Sequence, residues 1–234
     1  RIQEARGDLE GALGFLHEAE LRYAGDFSPN VRPISALVAR VWVAQGRLDD
    51  ALAWARTHGV SADDEPVYLH EFAHLTLARI LLAQAAHAGQ ARALDQAHTL
   101  LERLLVSAEA GERWGSVIDI LVLHALAWQQ RGDPPAARAS LERALALAEP
   151  AGYVRTFVAE GEAMRRLLRL IADTGASPAH ASALRLLRAF APEESTAPAA
   201  RPPAGLAEPL TARETEVLRL IAAGRRNQEI ADQL

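Results

Sequence analysis

The stretch ARVWVAQGRLDDAL (39–52) decides the fold, because its pattern returns further along the chain as ALAWQQRGDPPAAR (125–138). In both copies a tryptophan lies four residues before a glycine and an alanine five residues after it: Trp42 and Ala51, then Trp128 and Ala137. Glycine commonly ends a helix, since it adopts left-handed backbone angles without steric cost. Each copy therefore predicts a helix, a tight turn and an antiparallel helix whose alanine packs at the crossing.

Two further stretches repeat parts of this pattern. GDLEGA (7–12) repeats the spacing from glycine to alanine and ends at Ala12, and ARILLAQ (78–84) repeats the first helix. The matching alanine of the second stretch is Ala97, seven residues later than strict repetition would place it. Because seven residues are about two helical turns, that hairpin can lengthen without rotating its packing face.

The pattern resembles the tetratricopeptide repeat (TPR), in which a Gly-to-Ala turn joins two helices. The alanine markers are 39, 46 and 40 residues apart, against about 34 in a standard repeat. The resemblance implies an all-α fold, a TPR-like superhelix of helical hairpins over roughly residues 1–150. Amphipathic helices are also predicted at 162–171 and 182–190, so residues 1–190 are assigned to one helical repeat domain.

Composition agrees with helices and excludes several classes of protein. Half of the residues are hydrophobic but only 5% are aromatic, which favours close-packed helices over a β-sandwich. Cysteine is absent, so disulfides and thiolate metal sites are excluded. Lysine is also absent, which excludes a nucleotide-binding P-loop in this stretch. The net charge of −5 gives no whole-chain attraction to DNA, and no apolar stretch is long enough to predict a membrane span.

Three local patterns indicate possible chemistry or a break in the helices. HEFAH (70–74) spells a zinc-hydrolase signature, with His70 and His74 one turn apart and Glu71 as a base. It lies on the first helix of a repeat, so a structural role is favoured and no metal, cofactor or catalytic residue is predicted. Trp114, in the loop-like EAGERWGS, is the best candidate for contact with a small ligand. GYVRTFV (152–158), rich in β-branched and aromatic residues, predicts an extended bend.

A proline-rich segment separates the repeats from the C-terminal end. Residues 191–208 predict a Pro/Ala-rich linker without helical periodicity. Thr211 and Glu214 then have the spacing of a capping box, in which the threonine hydroxyl accepts from one backbone N–H and the glutamate from the other. Val217 and Leu218 belong to an apolar stripe, and Asn227 can cap a second helix.

The order PLTARETEVLRLIAAGRRNQEIADQL (209–234) closely resembles the start of the DNA-binding domain of LuxR-type transcription regulators. The matching residues are Pro209, Leu210, Thr211, Arg213, Glu214, Glu216, Val217, Leu218, Leu220, Ile221, Gly224, Asn227, Glu229, Ile230, Ala231 and Leu234. Arg226 departs from the family, which has Ser or Thr there. The candidate residues of this partial DNA-binding domain, 209–234, are Thr211, Arg213, Glu214, Val217, Leu218, Arg225, Arg226, Asn227, Glu229, Ile230 and Leu234.

The family's DNA-binding domain has four helices, and the matched residues supply only the first two. The resemblance thus implies that the recognition and dimerisation helices follow Leu234. We expect this end to be poorly ordered or packed on a neighbour, and the 234-residue chain alone to show no sequence-specific DNA binding.

Helical repeats, a linker and a LuxR-type segment together resemble the large ATP-binding, MalT-like group of LuxR-family regulators. The resemblance implies a cytoplasmic DNA-binding transcription regulator with an NTPase domain upstream, and a repeat region that senses an inducer, binds a protein partner or self-associates. The alternative is a TPR-type protein–protein interaction scaffold without DNA binding. A zinc hydrolase built on HEFAH is the third hypothesis.

Overall fold

The structure is a computed structural model that describes residues 7–23, 30–174 and 178–190, together with residues 211, 213, 214, 216, 217 and 220. The chain divides into one unit at Arg1–Pro192 and a second at Glu193–Leu234. All regular secondary structure in the described ranges is helical. The predicted all-α class is thereby confirmed, whereas the boundaries 1–190, 191–208 and 209–234 stay predictions.

The described part of the first unit forms ten α-helices and one 3₁₀ turn at Tyr68–His70. The helices are α1 (Leu9–Arg22), α2 (Ile34–Ala44), α3 (Leu48–Thr57), α4 (Glu71–Ala88), α5 (Ala91–Ala110), α6 (Trp114–Arg131), α7 (Pro134–Ala148), α8 (Arg155–Val158), α9 (Gly161–Thr174) and α10 (His180–Ala189). Helices pair as hairpins α2–α3, α4–α5 and α6–α7, and the first helices of successive hairpins also pack together, α2 on α4 and α4 on α6.

Glycine turns and buried alanines build the hairpins as the repeat predicts. Gly46 and Gly132 adopt φ of +75° and +79°, the left-handed region in which any other residue is strained. Ala51 and Ala137, on the helices that follow, are fully buried. A methyl side chain there lets the two helix backbones approach closely, so the repeated alanines fix where each hairpin closes.

The second hairpin contains the predicted insertion and divides it between both helices. Its turn lies at Gly89, with φ of +60°, four residues beyond the position that alignment with Gly46 gives. Ala97 follows that glycine by eight residues instead of five and is fully buried. Helices α4 and α5 are therefore 18 and 20 residues long, against 11 and 10 for α2 and α3. The register of Ala97 is confirmed.

The predicted bend at 152–158 is wrong in its second half. Arg155–Val158 form the one-turn helix α8, and its Phe157 is fully buried in the main core. Packing of this phenylalanine outweighs the β-propensity of its neighbours. Helix α9 is amphipathic as predicted, with Met164, Leu168 and Ile171 buried. Helix α10 starts two residues before the last predicted helix, 182–190, and ends one residue before its end.

Candidate ligand sites and the C-terminal segment

Trp114 is the first residue of α6 and not part of a loop, so the predicted loop is wrong at this point. Its side chain is 50% exposed. Arg113 and Gly115, the residues on either side of Trp114, each lie near an exposed tyrosine. The Arg113 Cζ lies 5.5 Å from the Tyr68 ring centroid. The Tyr153 hydroxyl lies 3.1 Å from the position that a Cβ on Gly115 would occupy. Trp114 lines neither of the two cavities described below. Ligand contact by Trp114 stays a prediction.

The HEFAH stretch joins α4 to its neighbours through hydrogen bonds. The Glu71 carboxylate accepts from the Ser116 hydroxyl and from the Arg113 guanidinium, whose Nη2 lies 3.0 Å away. His74 is 1% exposed, and its Nε2 lies 3.2 Å from Asp64 Oδ2. In the described part of the chain no three metal-ligating side chains come together. The polar atoms of this stretch tie α4 to α6 and to the preceding loop, as the structural role predicts.

A cavity of about 340 Å³ opens between α1, α2 and α3. Its wall combines two tryptophans and two carboxylates with small polar side chains: His17, Glu20, Ser35, Val38, Trp42, Asp50, Ala53, Trp54, Thr57 and His58. The Asp50 carboxylate is already paired with Arg47, at 2.8 Å. A second cavity of about 230 Å³ lies between α7 and α10. Trp42, which marks the repeat in the sequence, also faces the first cavity.

Trp128 lies in a buried cluster with two histidines, which sequence reasoning missed. The His98 ring centroid is 4.3 Å from that of Trp128 and 5.4 Å from that of His124. Burial, followed by repulsion between the two rings, lowers the pKa of His124 to about 4. Burial and the nearby Arg131 also lower the pKa of His98. Both rings are therefore neutral at physiological pH and act as core residues.

Two arginines at equivalent repeat positions were not singled out from the sequence, although the repeated Ala-Arg of 39–40 and 78–79 was the available signal. Arg79 on α4 forms an ion pair with Glu160, with its Nη2 2.6 Å from Oε1. Arg40 on α2 lies over the Phe72 ring, its Cζ 3.8 Å from the centroid. The repeat thus places two guanidiniums at equivalent positions, but one contacts a carboxylate and the other an aromatic ring.

The predicted capping box is present in the C-terminal segment. The Thr211 backbone N–H donates to Glu214 Oε2 at 2.8 Å, and the Glu214 N–H donates to Thr211 Oγ1 at 3.3 Å. These bonds from Thr211, the backbone one first, lower the pKa of Glu214 because they favour the ionised carboxylate. Arg213 and Val217 are helical, so a helix begins where the sequence predicts.

The remaining candidate residues lie outside the described part of the chain and stay predictions: Leu218, Arg225, Arg226, Asn227, Glu229, Ile230 and Leu234. The same is true of the 191–208 linker and of the expected poor ordering of this end.

Comparison with known proteins decides the family. Residues 1–174 match the family described as MalT-like TPR region. The chain belongs to this family. Residues 208–234 match a second family, described as bacterial regulatory proteins, luxR family. The two resemblances seen in the sequence are therefore confirmed, in the same order along the chain.

Two curated relatives extend over both regions. The chain is 28% identical over 254 aligned positions to proteins named HTH-type transcriptional regulator MalT from Klebsiella pneumoniae subsp. pneumoniae and from Klebsiella pneumoniae strain 342. The alignments cover 98% of this chain and 27% of each relative. This chain thus spans about a quarter of the length of the curated relatives that it matches. Within the described residues, no helix has the length and apolarity needed to cross a bilayer.

Proposed function

We propose that this chain is part of a DNA-binding transcription regulator of the LuxR family, in which the repeats receive a signal and the C-terminal segment leads into the DNA-binding domain. One observation carries the proposal: a MalT-like TPR region and a luxR-family match occur in this order in one chain. The relatives that align across both regions are named as transcriptional regulators. Such a protein acts where the chromosome is, in the cytoplasm.

The C-terminal segment and the helical repeats have different roles in this proposal. In a helix-turn-helix, the second helix enters the major groove while the first crosses the phosphate backbone. The capping box of Thr211 and Glu214 fixes the start of the helix that precedes this pair. We assign Arg225 and Arg226, which come just before the first helix of the pair, to contact with phosphate. We propose no catalytic group and no cofactor for this task. The superhelix supplies surface for an inducer or for a second copy of the protein.

A protein–protein scaffold is the second candidate, and the exposed aromatic residues around Trp114 favour it. Tyr68, Trp114 and Tyr153 are each between 39% and 52% exposed, and aromatic side chains of this kind are enriched at protein interfaces. A scaffold of this type would bind its partner without touching DNA.

A mobility-shift titration of the full-length gene product against the DNA upstream of its own operon separates the two candidates. The proposal predicts a selective complex that survives excess competitor DNA and weakens steeply with salt. The same protein ended at Phe190 should form none. Replacement of Arg226 by Glu should weaken binding to all sequences alike and lower the salt dependence by about one ion. A full-length protein that never shifts its own upstream DNA, with inducer and nucleotide supplied, contradicts the regulator and favours the scaffold.

A further inference from the structure

Arg40 is held in place by two neighbours that carry no charge. Its Nε–H donates to the Thr76 hydroxyl at 3.0 Å, and that hydroxyl in turn donates to the Phe72 carbonyl at 2.8 Å. The guanidinium lies 3.8 Å over the Phe72 ring, a cation–π contact. These contacts fix the plane of the guanidinium and leave its two terminal nitrogens at the far edge.

The terminal nitrogens of Arg40 have no partner in the part of the chain that the structure describes. Their donors meet no acceptor there, and no carboxylate comes within 4.0 Å of them. Arg40 is only half-buried, and neither nitrogen is among the fully enclosed polar atoms. Two parallel N–H donors on a fixed guanidinium are the arrangement that binds a carboxylate or phosphate in a bidentate manner.

The charge on Arg40 is poorly compensated. Burial, followed by repulsion from Arg79, lowers the pKa of Arg40, although the carboxylates of Glu160 and Asp119 favour the cation. A guanidinium stays protonated near neutral pH, so the charge remains. Arg32 adds a second cation, with its Cζ 5.6 Å from the same Phe72 ring. Both features favour an anion at this place.

The next hairpin of the repeat shows an equivalent arginine that binds a carboxylate. Arg79 is the equivalent of Arg40 in the next hairpin, and it binds the Glu160 carboxylate through Nε at 3.1 Å and Nη2 at 2.6 Å. Glu160 comes from the turn between α8 and α9, far along the chain. No described residue supplies such a group to Arg40.

We propose that Arg40, supported by Phe72, Thr76 and Arg32, forms a binding site for the oxyanion group, carboxylate or phosphate, of a small molecule. Arg40 is half-buried between α2 and α4, which suits a small anion better than a flat protein surface. If the regulator proposed above is correct, this site gives its inducer a chemical class, and only that role rests on the proposed function.

Binding is tested without DNA, by thermal unfolding and NMR titration of the repeat-containing chain with acetate and, in a separate arm, inorganic phosphate at constant ionic strength. Either anion should raise the melting temperature of the wild type and shift the Arg40 Nε–H resonance. The arm with the greater effect identifies the oxyanion. Arg40→Gln should weaken binding at least about tenfold, since the lost charge-assisted bonds contribute about 1.5–3 kcal/mol.

Two further variants control for non-specific anion effects and for misfolding of Arg40→Gln. Arg92→Gln removes an exposed arginine at the start of α5 and should leave anion binding unchanged. Arg40→Lys keeps the charge but not the planar pair of donors, so its binding should be intermediate even if Arg40→Gln fails to fold. Equal anion effects in wild type, Arg40→Lys and Arg92→Gln, or no effect in wild type, would overturn the site. A protein that binds the anion yet never binds DNA would overturn the proposed function and leave the site intact.

Discussion

The α2–α3 and α4–α5 hairpins carry the same Ala-Arg pair at the same place and surround it differently. Ala39 and Ala78 are both fully buried, so the two arginines leave their helices at equivalent points. Arg79 meets the carboxylate of Glu160, whereas Arg40 meets the ring of Phe72 and the hydroxyl of Thr76. The repeat determines where a side chain is placed, and distant parts of the chain determine what it contacts.

Breaking the Arg79–Glu160 ion pair should cause the largest loss of folding stability. Glu160→Ala would leave a guanidinium that is only 16% exposed without its counterion, and loss of one partner of a buried pair costs about 3 kcal/mol or more. Urea unfolding measures the loss. The matched control is Glu162→Ala, because Glu162 is 56% exposed and its ion pairs with Arg165 and Arg169 are loose. That variant should lose less than about 1 kcal/mol, and equal losses would contradict the difference between the two pairs.

The two hairpin crossings should respond alike to a larger side chain. Ala51→Leu and Ala137→Leu each force extra volume into a site with no exposed surface, which costs about 1–3 kcal/mol by overpacking. Melting temperatures of the two variants should fall by similar amounts. Unchanged melting of either would show that the repeat register does not set the crossing in that hairpin.

Trp42 and Trp128 occupy equivalent repeat positions, but the surroundings of Trp128 should make folding stability depend on pH, with a smaller effect than the substitutions above. Trp128 packs on His98 and His124, whose pKa values are lowered by burial, to about 4 for His124. The unfolded chain therefore binds protons more readily than the folded one. This contribution to stability is complete above the ordinary histidine pKa of 6.5 and is lost as pH falls towards 4.

Urea unfolding across this pH range checks the prediction. His124→Phe, which keeps an aromatic ring but cannot be protonated, should lose less stability than wild type on acidification. His87→Phe, at an exposed position near the end of α4, is the matched control and should follow the wild type. Identical pH profiles for all three proteins would show that the buried histidines do not govern acid stability.

The repeat and its turns could be predicted because they depend on local chemistry. Glycine permits a left-handed turn, alanine permits a close crossing, and both recur at fixed spacing. Gly46, Ala51 and Ala137 were therefore enough to predict the helical hairpins. The Thr211–Glu214 capping box was predictable for the same reason, since its partners are three residues apart. The α8 turn was not, because burial of Phe157 depends on helices elsewhere in the chain.

The candidate sites depend on contacts between distant segments, and for that reason the sequence indicated them poorly. Glu160 reaches Arg79 from 81 residues away. The His98–Trp128 contact joins neighbouring hairpins, and Trp42 faces a cavity closed by the preceding helix. The residues around Trp114 predict a loop, yet Trp114 begins a helix. No short pattern records any of these pairings.

The most direct test asks whether a carboxylate is the whole difference between Arg40 and Arg79. Formate is titrated into wild type, Glu160→Ala and the Arg40→Gln/Glu160→Ala double variant at constant ionic strength. The number of ions bound per chain then follows from the dependence of the unfolding free energy on formate concentration. We expect one formate in wild type at Arg40, two in Glu160→Ala because Arg79 becomes available, and one in the double variant. The same number in all three proteins would contradict the equivalence of the two arginines.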